Sequence, residues 1–126
     1  MTGLSYGGFY TLVTGAAETR IKSSYSVAYF NDMFRYAWYD FTWFNSGNRF
    51  TNPEIAALHA PRRLLVEVGK EDKIFEIDTA YAPAEDVPKY FEAQGAAENF
   101  FFHPWDGGHK PDTEDGSLDY FFEGLK

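Results

Sequence analysis

The 126-residue sequence contains no cysteine, which excludes both a disulfide framework and thiol chemistry. Basic residues are also few, because 11 Lys and Arg stand against 19 Asp and Glu and give a formal net charge of −8. A negative protein repels nucleic acid and anionic membranes, so we expect neither as a partner. The sequence also lacks any apolar run of about 18 residues, so it predicts no membrane-spanning helix.

Aromatic residues, by contrast, make up 20% of the chain. Together with a hydrophobic content of 44%, they indicate a globular protein whose core or pocket is built from rings. At this length we expect a single domain over residues 1–126.

The sequence begins with a Gly-x-Ser-x-Gly pattern formed by Gly3, Ser5 and Gly7. This pattern is typical of a nucleophile elbow, in which a strand reverses sharply into a helix and the serine occupies a strained backbone geometry. We expect a Cβ atom on Gly3 or Gly7 to collide with the crossing strand or helix, and Gly8 to let the helix pack close to the sheet. The plainer alternative is that Ser5 only caps a helix.

Hydrophobic periodicity and turn signals predict helices and strands that alternate along the chain. Helices are predicted near 6–18, 52–60, 87–94 and 118–125, and strands at 21–30, 64–69 and 99–103. Asn52 is the expected N-cap of the second helix, and Asp86 and Gly95 are the expected ends of the third. Pro104 is expected to break the last strand. The alternation predicts an α/β fold with three layers, a parallel sheet between two layers of helices.

Between residues 33 and 50 nearly every second residue is aromatic, and neither a strand period nor a helix period fits throughout. One interpretation is an irregular excursion that packs its rings over the core. The other is a wall of a substrate pocket, since concave surfaces lined by rings often bind ligands. The two are compatible, and we expect Tyr36, Trp38 and Trp43 to contact substrate.

Three predicted turns that follow three strands carry Ser5, Asp72 and His109 in this chain order. Functional groups of a parallel sheet lie at the C-terminal ends of its strands, so we expect these side chains to converge. Histidine can accept the serine proton, and aspartate can hold the imidazole in the required tautomer. The Tyr6 backbone N–H is the expected donor to the oxyanion.

Other assignments of these residues stay open. Asp72 is a solvated charge in the plainer interpretation, with Glu71 as the alternative acid, and His109 is then a loop residue. His59 and His103 are less suited as the base, because His59 lies at a helix end before a proline and His103 lies within a strand.

A metal site is a further alternative, because carboxylates and a histidine cluster near the end of the chain. Its candidate ligands are Asp106, His109, Asp112 and Asp115. These residues lack a recognised ligand spacing, and a solvated acidic loop explains them, so we expect no metal and no other cofactor.

Three segments of the chain together resemble the C-terminal half of an α/β-hydrolase. They are Gly-Leu-Ser-Tyr-Gly-Gly at 3–8, Val-Gly-Lys-Glu-Asp at 68–72 and Asp-Gly-Gly-His at 106–109. The nearest branches are the acetylxylan esterase-like, dienelactone hydrolase-like and prolyl oligopeptidase-like enzymes. The resemblance implies a serine hydrolase that works through an acyl-enzyme without a cofactor, with Ser5, Asp72 and His109 as its triad.

The resemblance favours a carboxylic ester as substrate, such as the acetyl ester of a sugar. A serine peptidase of the prolyl oligopeptidase type is one alternative. A non-catalytic α/β module that binds a ligand or dimerises is the other.

The chain also departs from this family. Family members have several strands before the elbow and take the second oxyanion donor from a loop among them, whereas only Met1 and Thr2 precede Gly3 here. We therefore expect a chain that starts within a domain and has weak or no activity alone. The strand over 21–30 is then expected to have an unpaired edge that a second copy covers in a homodimer.

Overall fold

The computed structural model describes residues 1–35, 39–114 and 116–126. Its strands are β1 (Thr2–Leu4), β2 (Ser23–Val27), β3 (Arg63–Gly69) and β4 (Phe100–Trp105). Its α-helices are α1 (Tyr6–Ala17), α2 (Asn52–Ala57), α3 (Tyr81–Asp86), α4 (Pro88–Ala93) and α5 (Ser117–Glu123). No helix in these ranges is both long and apolar enough to cross a membrane.

The four strands form one parallel sheet in the order β1-β2-β3-β4. Parallel neighbours need a crossover connection, and helices supply it between successive strands. The register aligns Tyr25 of β2 with Leu65 of β3, and Leu65 in turn with Phe101 of β4. The predicted α/β class with a parallel sheet is therefore confirmed.

Helices cover both faces of the sheet. On one face, Leu64, Val66 and Val68 of β3 pack with core residues from α1, α2, α3 and α4. On the other face, Leu65 packs in a smaller cluster with Phe121 of α5. Because successive side chains of a strand alternate between faces, the apolar run over residues 64–69 belongs to a strand that is buried on both sides.

Several predicted element boundaries need correction. Thr51, not Asn52, caps α2, because Thr51 and Glu54 form a capping box. The third predicted helix corresponds to α4, whose N-cap is Val87 rather than Asp86. The helix α3, which precedes it, was not predicted. Pro104 lies inside β4, where an edge position tolerates a residue without an N–H.

The predicted free edge on the strand over 21–30 is wrong. β2 pairs with β1 on one side and with β3 on the other, so it lies inside the sheet. Within the described ranges, the sheet ends at β1 and β4. The Tyr25 N–H donates to the Met1 carbonyl, and the Ser5 N–H donates to the Val27 carbonyl.

The described part of the aromatic stretch is irregular, as its mixed periodicity predicts. Two short 3₁₀ helices, Tyr39–Phe41 and Ser46–Asn48, are found in its described part. Phe41 is buried in the main core cluster. Phe34, Tyr39 and Phe44 are 75%, 79% and 96% exposed, so only part of the stretch packs its rings over the core.

Candidate active site

Ser5 joins β1 directly to α1 and adopts a backbone conformation that is rare for a residue with a side chain. Its φ is 58° and its ψ is −114°. A non-glycine residue at positive φ is strained, and such residues cluster at functional sites. The Ser5 N–H donates to the Val27 carbonyl at 2.9 Å, which holds the turn against the neighbouring strand. This is the sharp reversal that the Gly-x-Ser-x-Gly pattern predicts.

The glycines around Ser5 are not equally constrained. A Cβ on Gly3 would fall on the backbone carbonyl of Gly7, so the strand side of the turn needs glycine. A Cβ on Gly8 would lie 2.6 Å from the Val27 carbonyl oxygen, so Gly8 allows α1 to approach β2. A Cβ on Gly7 would meet no atom within 4 Å. The predicted collision at Gly7 is therefore wrong, because its Cα faces open space.

Asp72 and His109 form a hydrogen-bonded pair where β3 and β4 end. The distance between Asp72 Oδ2 and His109 Nδ1 is 2.8 Å. Asp72 Oδ1 accepts hydrogen bonds from the N–H groups of Ile74, at 2.7 Å, and Phe75, at 3.1 Å. The Asp72 side chain is fully buried, and the His109 side chain is 24% exposed. The described hydrogen bonds of this carboxylate therefore fix it from both of its oxygens.

Backbone bonds hold the two turns together beyond the ends of the strands. The Lys70 N–H donates to the Trp105 carbonyl, and the Glu71 N–H donates to the Gly107 carbonyl, both at 2.8 Å. A Cβ on Gly69 would contact the Gly107 and Gly108 carbonyls, so the turns also approach closely. The spacing between acid and histidine is therefore set by the backbone as well as by the side chains.

The Asp72 contact determines the His109 tautomer. A carboxylate oxygen only accepts, so Nδ1 carries the proton and Nε2 keeps its lone pair. The Phe75 ring stacks on the imidazole, with centroids 6.0 Å apart and an interplanar angle of 20°. His109 is thus oriented by a carboxylate on one edge and by an aromatic ring on one face. An imidazole in this state is suited to accept a proton at Nε2.

An aromatic cluster lies between the elbow and the histidine. Phe41 is at its centre, with ring centroids 4.7 to 5.6 Å from four other rings, those of Tyr6, Phe9, Tyr29 and Phe75. Tyr6 follows the serine, and Phe75 contacts His109. Sequence analysis did not single out Phe41 or Phe75, since neither differs in its local pattern from the many other phenylalanines.

Tyr6 is the first residue of α1, so its N–H has no partner within the helix. This N–H remains the candidate oxyanion donor next to Ser5. The Tyr6 hydroxyl donates a hydrogen bond to Asp40 Oδ2. This hydrogen bond raises the pKa of the Tyr6 phenol. Asp40 was not among the predicted site residues, because it lies 34 positions along the chain in an irregular segment.

Of the three expected substrate-contacting residues, Tyr36 and Trp38 lie outside the described part of the chain. Trp43 is 38% exposed and follows the first 3₁₀ helix of the aromatic stretch. Its role in binding stays a prediction.

The alternative residues take other contacts. His59 is fully buried, and its Nε2 lies 2.9 Å from the Leu12 carbonyl, which accepts a hydrogen bond from it. His103 Nε2 lies 3.1 Å from Asp112 Oδ2. Glu71 is exposed, unlike the buried Asp72.

The described candidate metal ligands each pair with a different side chain. Asp106 pairs with Lys70, His109 with Asp72 and Asp112 with His103. Asp115 lies outside the described residues. Across the ranges that are described, no group of three His, Asp or Glu side chains is arranged to hold a metal ion.

Glu67 is a buried carboxylate in β3 that sequence analysis did not single out, because it lies within an apolar run. It is 0% exposed, and its two oxygens accept hydrogen bonds from the Tyr25 hydroxyl, at 2.7 Å, and from the Asp112 N–H, at 2.8 Å. A buried charge is tolerated only when its hydrogen bonds are satisfied. Glu67 thus joins β2, β3 and the loop after His109. A single acidic residue inside an otherwise apolar strand was the signal in the sequence.

No family model and no curated protein matches the chain. Solved structures do match. A carbohydrate esterase family 15 glucuronoyl esterase from Caldicellulosiruptor kristjansonii is 24% identical with a TM-score of 0.77, and the match covers 98% of this chain and 42% of that one. A promiscuous CE15 esterase from a marine bacterial metagenome is 17% identical with a TM-score of 0.66, over 96% of this chain and 40% of that one.

A third match is the acyl-protein thioesterase 2 of Zea mays, which is 16% identical with a TM-score of 0.56, over 99% of this chain and 55% of that one. All three are α/β-hydrolases, and the chain has the α/β-hydrolase fold. More particularly, it corresponds to the C-terminal part of that fold. It spans about two fifths of the length of the two CE15 esterases.

Proposed function

We propose that the chain carries the nucleophile, base and acid of a serine hydrolase that cleaves carboxylic esters through an acyl-enzyme. The observation that carries this proposal is the combination of two features at the C-terminal ends of strands in one sheet. Ser5 is held at positive φ in the elbow, and His109 is held by the buried Asp72. The esterases with the same fold add support for the reaction class.

In the first half of the reaction, Ser5 Oγ attacks the ester carbonyl carbon while its proton passes to His109 Nε2. The carbonyl oxygen becomes an oxyanion, to which the Tyr6 N–H donates. The tetrahedral intermediate then collapses and the bond to the alcohol oxygen breaks. The alcohol leaves with the proton from His109, and Ser5 remains acylated.

In the second half, water attacks the acyl carbon and gives a proton to His109 Nε2. Collapse of this second intermediate releases the carboxylic acid, and the proton returns to Ser5 Oγ. Asp72 orients the imidazole and stabilises the imidazolium that forms in each half. The two N–H groups that donate to Asp72 Oδ1 suit this role, because they hold the carboxylate where Oδ2 contacts His109.

For the substrate, we propose an ester of a small carboxylic acid, such as the acetyl ester of a sugar. The aromatic stretch supports the sugar. Its buried Phe41 contacts Tyr6 next to the serine, so the stretch lies beside the elbow. Other rings of the stretch are exposed, and exposed aromatic rings suit the apolar face of a sugar.

We expect the isolated chain to react slowly. Tyr6 is the one oxyanion donor that we assign, and loss of a single donor costs about 2.7–4 kcal/mol in other hydrolases. The chain also spans only about two fifths of the length of the CE15 esterases. This expectation calls for a reactive probe rather than a natural substrate.

The test is the rate of covalent labelling by a fluorophosphonate probe, with mass spectrometry to locate the label. We expect Ser5 to be labelled, Ser5→Ala to abolish labelling, and Asp72→Asn to slow it by roughly 10³–10⁴-fold. Ser24→Ala is the matched control, because it removes a buried hydroxyl that has no hydrogen-bond partner among the described residues. Equal labelling of Ser5→Ala and the unchanged chain would overturn the proposal.

Parallel assays with a nitrophenyl ester and the corresponding anilide separate an esterase from a peptidase. We expect turnover of the ester alone, lost in Ser5→Ala. Faster turnover of the anilide would instead support the peptidase.

A further inference from the structure

The side chain that follows the nucleophile is held by a distant part of the chain. The Tyr6 hydroxyl donates to Asp40, although Tyr6 itself is 41% exposed. Asp40 belongs to the 3₁₀ helix Tyr39–Phe41, which we call the clamp. The clamp therefore reaches from the aromatic stretch to the elbow.

Phe41 fixes the clamp to the core beneath it. Phe41 is only 4% exposed, and its ring lies 5.3 Å from Phe9 and 5.1 Å from Tyr29. The neighbouring Asp40 is thus presented from a buried anchor and not from a free loop. The Phe41 ring also lies 4.7 Å from the Tyr6 ring, so the clamp contacts Tyr6 through both Asp40 and Phe41.

The backbone nitrogen and the side chain of Tyr6 are bonded to the same Cα atom, so fixing the side chain also restricts the position of the N–H group. A phenol fixed at its hydroxyl and along its ring limits rotation about the Tyr6 side-chain bonds and movement of the first turn of α1. That turn starts at the strained Ser5, whose geometry must be maintained by its surroundings. A donor to an oxyanion is effective only when it is already in place, so its fixation affects the transition state.

We propose that Asp40 is a positioning residue, which holds the oxyanion donor Tyr6 in place through the Tyr6 hydroxyl. This rests on the proposed function, since it assigns Tyr6 to the oxyanion. Asp40 itself contacts neither the substrate nor the reacting atoms. The aromatic stretch then has a part in the reaction besides packing.

The first test measures fluorophosphonate labelling of Ser5 as two quantities, the maximal rate kinact and the half-saturating concentration KI. We expect Asp40→Ala and Tyr6→Phe each to lower kinact about tenfold, a typical effect of losing a hydrogen bond to a charged group, with KI unchanged. The double variant is expected to be no slower than either single one, because both remove the same contact.

Asp40→Asn keeps an oxygen that accepts the Tyr6 proton, so we expect it to retain most of kinact. Asp119→Asn is the matched control, an exposed acid on α5 across the sheet. Kinact unchanged in Asp40→Ala, with the unchanged chain labelled at Ser5, would overturn this proposal and leave the proposed function standing. No labelling of the unchanged chain would overturn both.

The second test needs no activity. The ultraviolet absorbance of tyrosinate is titrated with pH, and the difference between the unchanged chain and Tyr6→Phe gives the ionisation of Tyr6. The hydrogen bond to Asp40 is the main cause that raises the Tyr6 pKa, with smaller contributions from desolvation and from the charges of Asp40 and Tyr10. We expect Asp40→Ala, which removes the hydrogen bond, to shift this ionisation to lower pH, and an unmoved ionisation in that variant would overturn the proposal.

Discussion

At the scale of single residues, Asp72 and His59 show how burial acts differently on two titratable side chains. Asp72 is buried with three N–H groups directed at its carboxylate, which are those of Ile74, Phe75 and His109. His59 is buried with one ring nitrogen bonded to a carbonyl and with no partner for Nδ1 in the part of the chain described. Asp72 is therefore held by donors on both of its oxygens, whereas burial favours the neutral form of His59.

His59 is expected to make the fold sensitive to acid. Burial lowers the pKa of His59 to about 4. Since the ordinary value is about 6.5, the unfolded chain binds a proton at this site more readily than the folded chain between these values. The free energy of unfolding should therefore be unaffected by His59 above about pH 6.5. It should decrease by on the order of 3 kcal/mol as the pH falls to about 4.

Urea denaturation at a series of pH values measures this effect, with His59→Gln as the variant without the titrating ring. Gln can still donate to the Leu12 carbonyl, so the comparison concerns the slope with pH rather than the stability at one pH. We expect the variant to lose less stability between pH 6.5 and 4, values set by the two pKa values. The same slope in both proteins would contradict the assignment.

At the scale of elements, the elbow depends on how β1 meets α1. Gly3 and Gly8 lie where backbone groups approach closely, whereas Gly7 lies in open space in the first turn of α1. The three glycines look alike in the sequence, because a motif records residue types and not what surrounds them. The packing of β1, α1 and β2 around the turn is what makes Gly3 and Gly8 differ from Gly7.

We predict opposite effects of alanine at Gly3 and Gly7. Gly3→Ala forces the turn apart, because its Cβ meets backbone that cannot move aside, and should destabilise the fold by about 1–3 kcal/mol. Gly7→Ala replaces a helical glycine at an open position and should stabilise it by up to about 1 kcal/mol.

Thermal and urea denaturation of the two variants measure this difference. Fluorophosphonate labelling should be lost with Gly3→Ala and kept with Gly7→Ala. Equal destabilisation by both would show that the turn is not as described.

The strands that carry the site could be predicted because their signals are local. The apolar run of β3 and the turns after β3 and β4 place Asp72 and His109 with no knowledge of contacts. The pairing partner of β2 could not be predicted in this way. A strand of three residues, Thr2–Leu4, has too little pattern to identify, yet it pairs fully with β2.

Contacts between residues that are far apart in the sequence also could not be predicted from it. The bond from Tyr6 to Asp40 depends on where an irregular segment crosses the elbow. Similarly, Asn52 was the predicted cap of α2, but its buried side chain donates to Asn31 instead, and Thr51 is the cap. In both cases a tertiary contact decided between residues that are locally equivalent.

At the scale of the whole molecule, β1 is one of the two edge strands of the sheet that the described residues form. The backbone groups of Met1 and Ser5 form hydrogen bonds with β2. Because the backbone groups of successive residues in a parallel strand point alternately to its two sides, those of Thr2 and Leu4 point away from β2. Leu4 is also 42% exposed. Such an edge, with outward-facing backbone groups and an exposed apolar side chain, favours pairing with another strand.

We propose that a second copy of the chain covers this edge, with the two β1 strands antiparallel about a two-fold axis near Gly3. Thr2 of one copy then faces Leu4 of the other, and each pair can exchange backbone hydrogen bonds. This keeps the homodimer expected from the sequence but moves its interface from β2 to β1.

Light scattering at micromolar concentration tests the homodimer, and we expect twice the mass of one chain. Leu4→Lys should yield a monomer, because a charged side chain on an edge strand opposes pairing. Leu118→Lys is the control, since Leu118 on α5 is 43% exposed and far along the chain from β1. Hydrogen exchange at the Thr2 and Leu4 amides should be slow in the dimer and fast in the Leu4→Lys monomer. A monomeric unchanged chain, or dissociation of both variants alike, would show that β1 is not the interface.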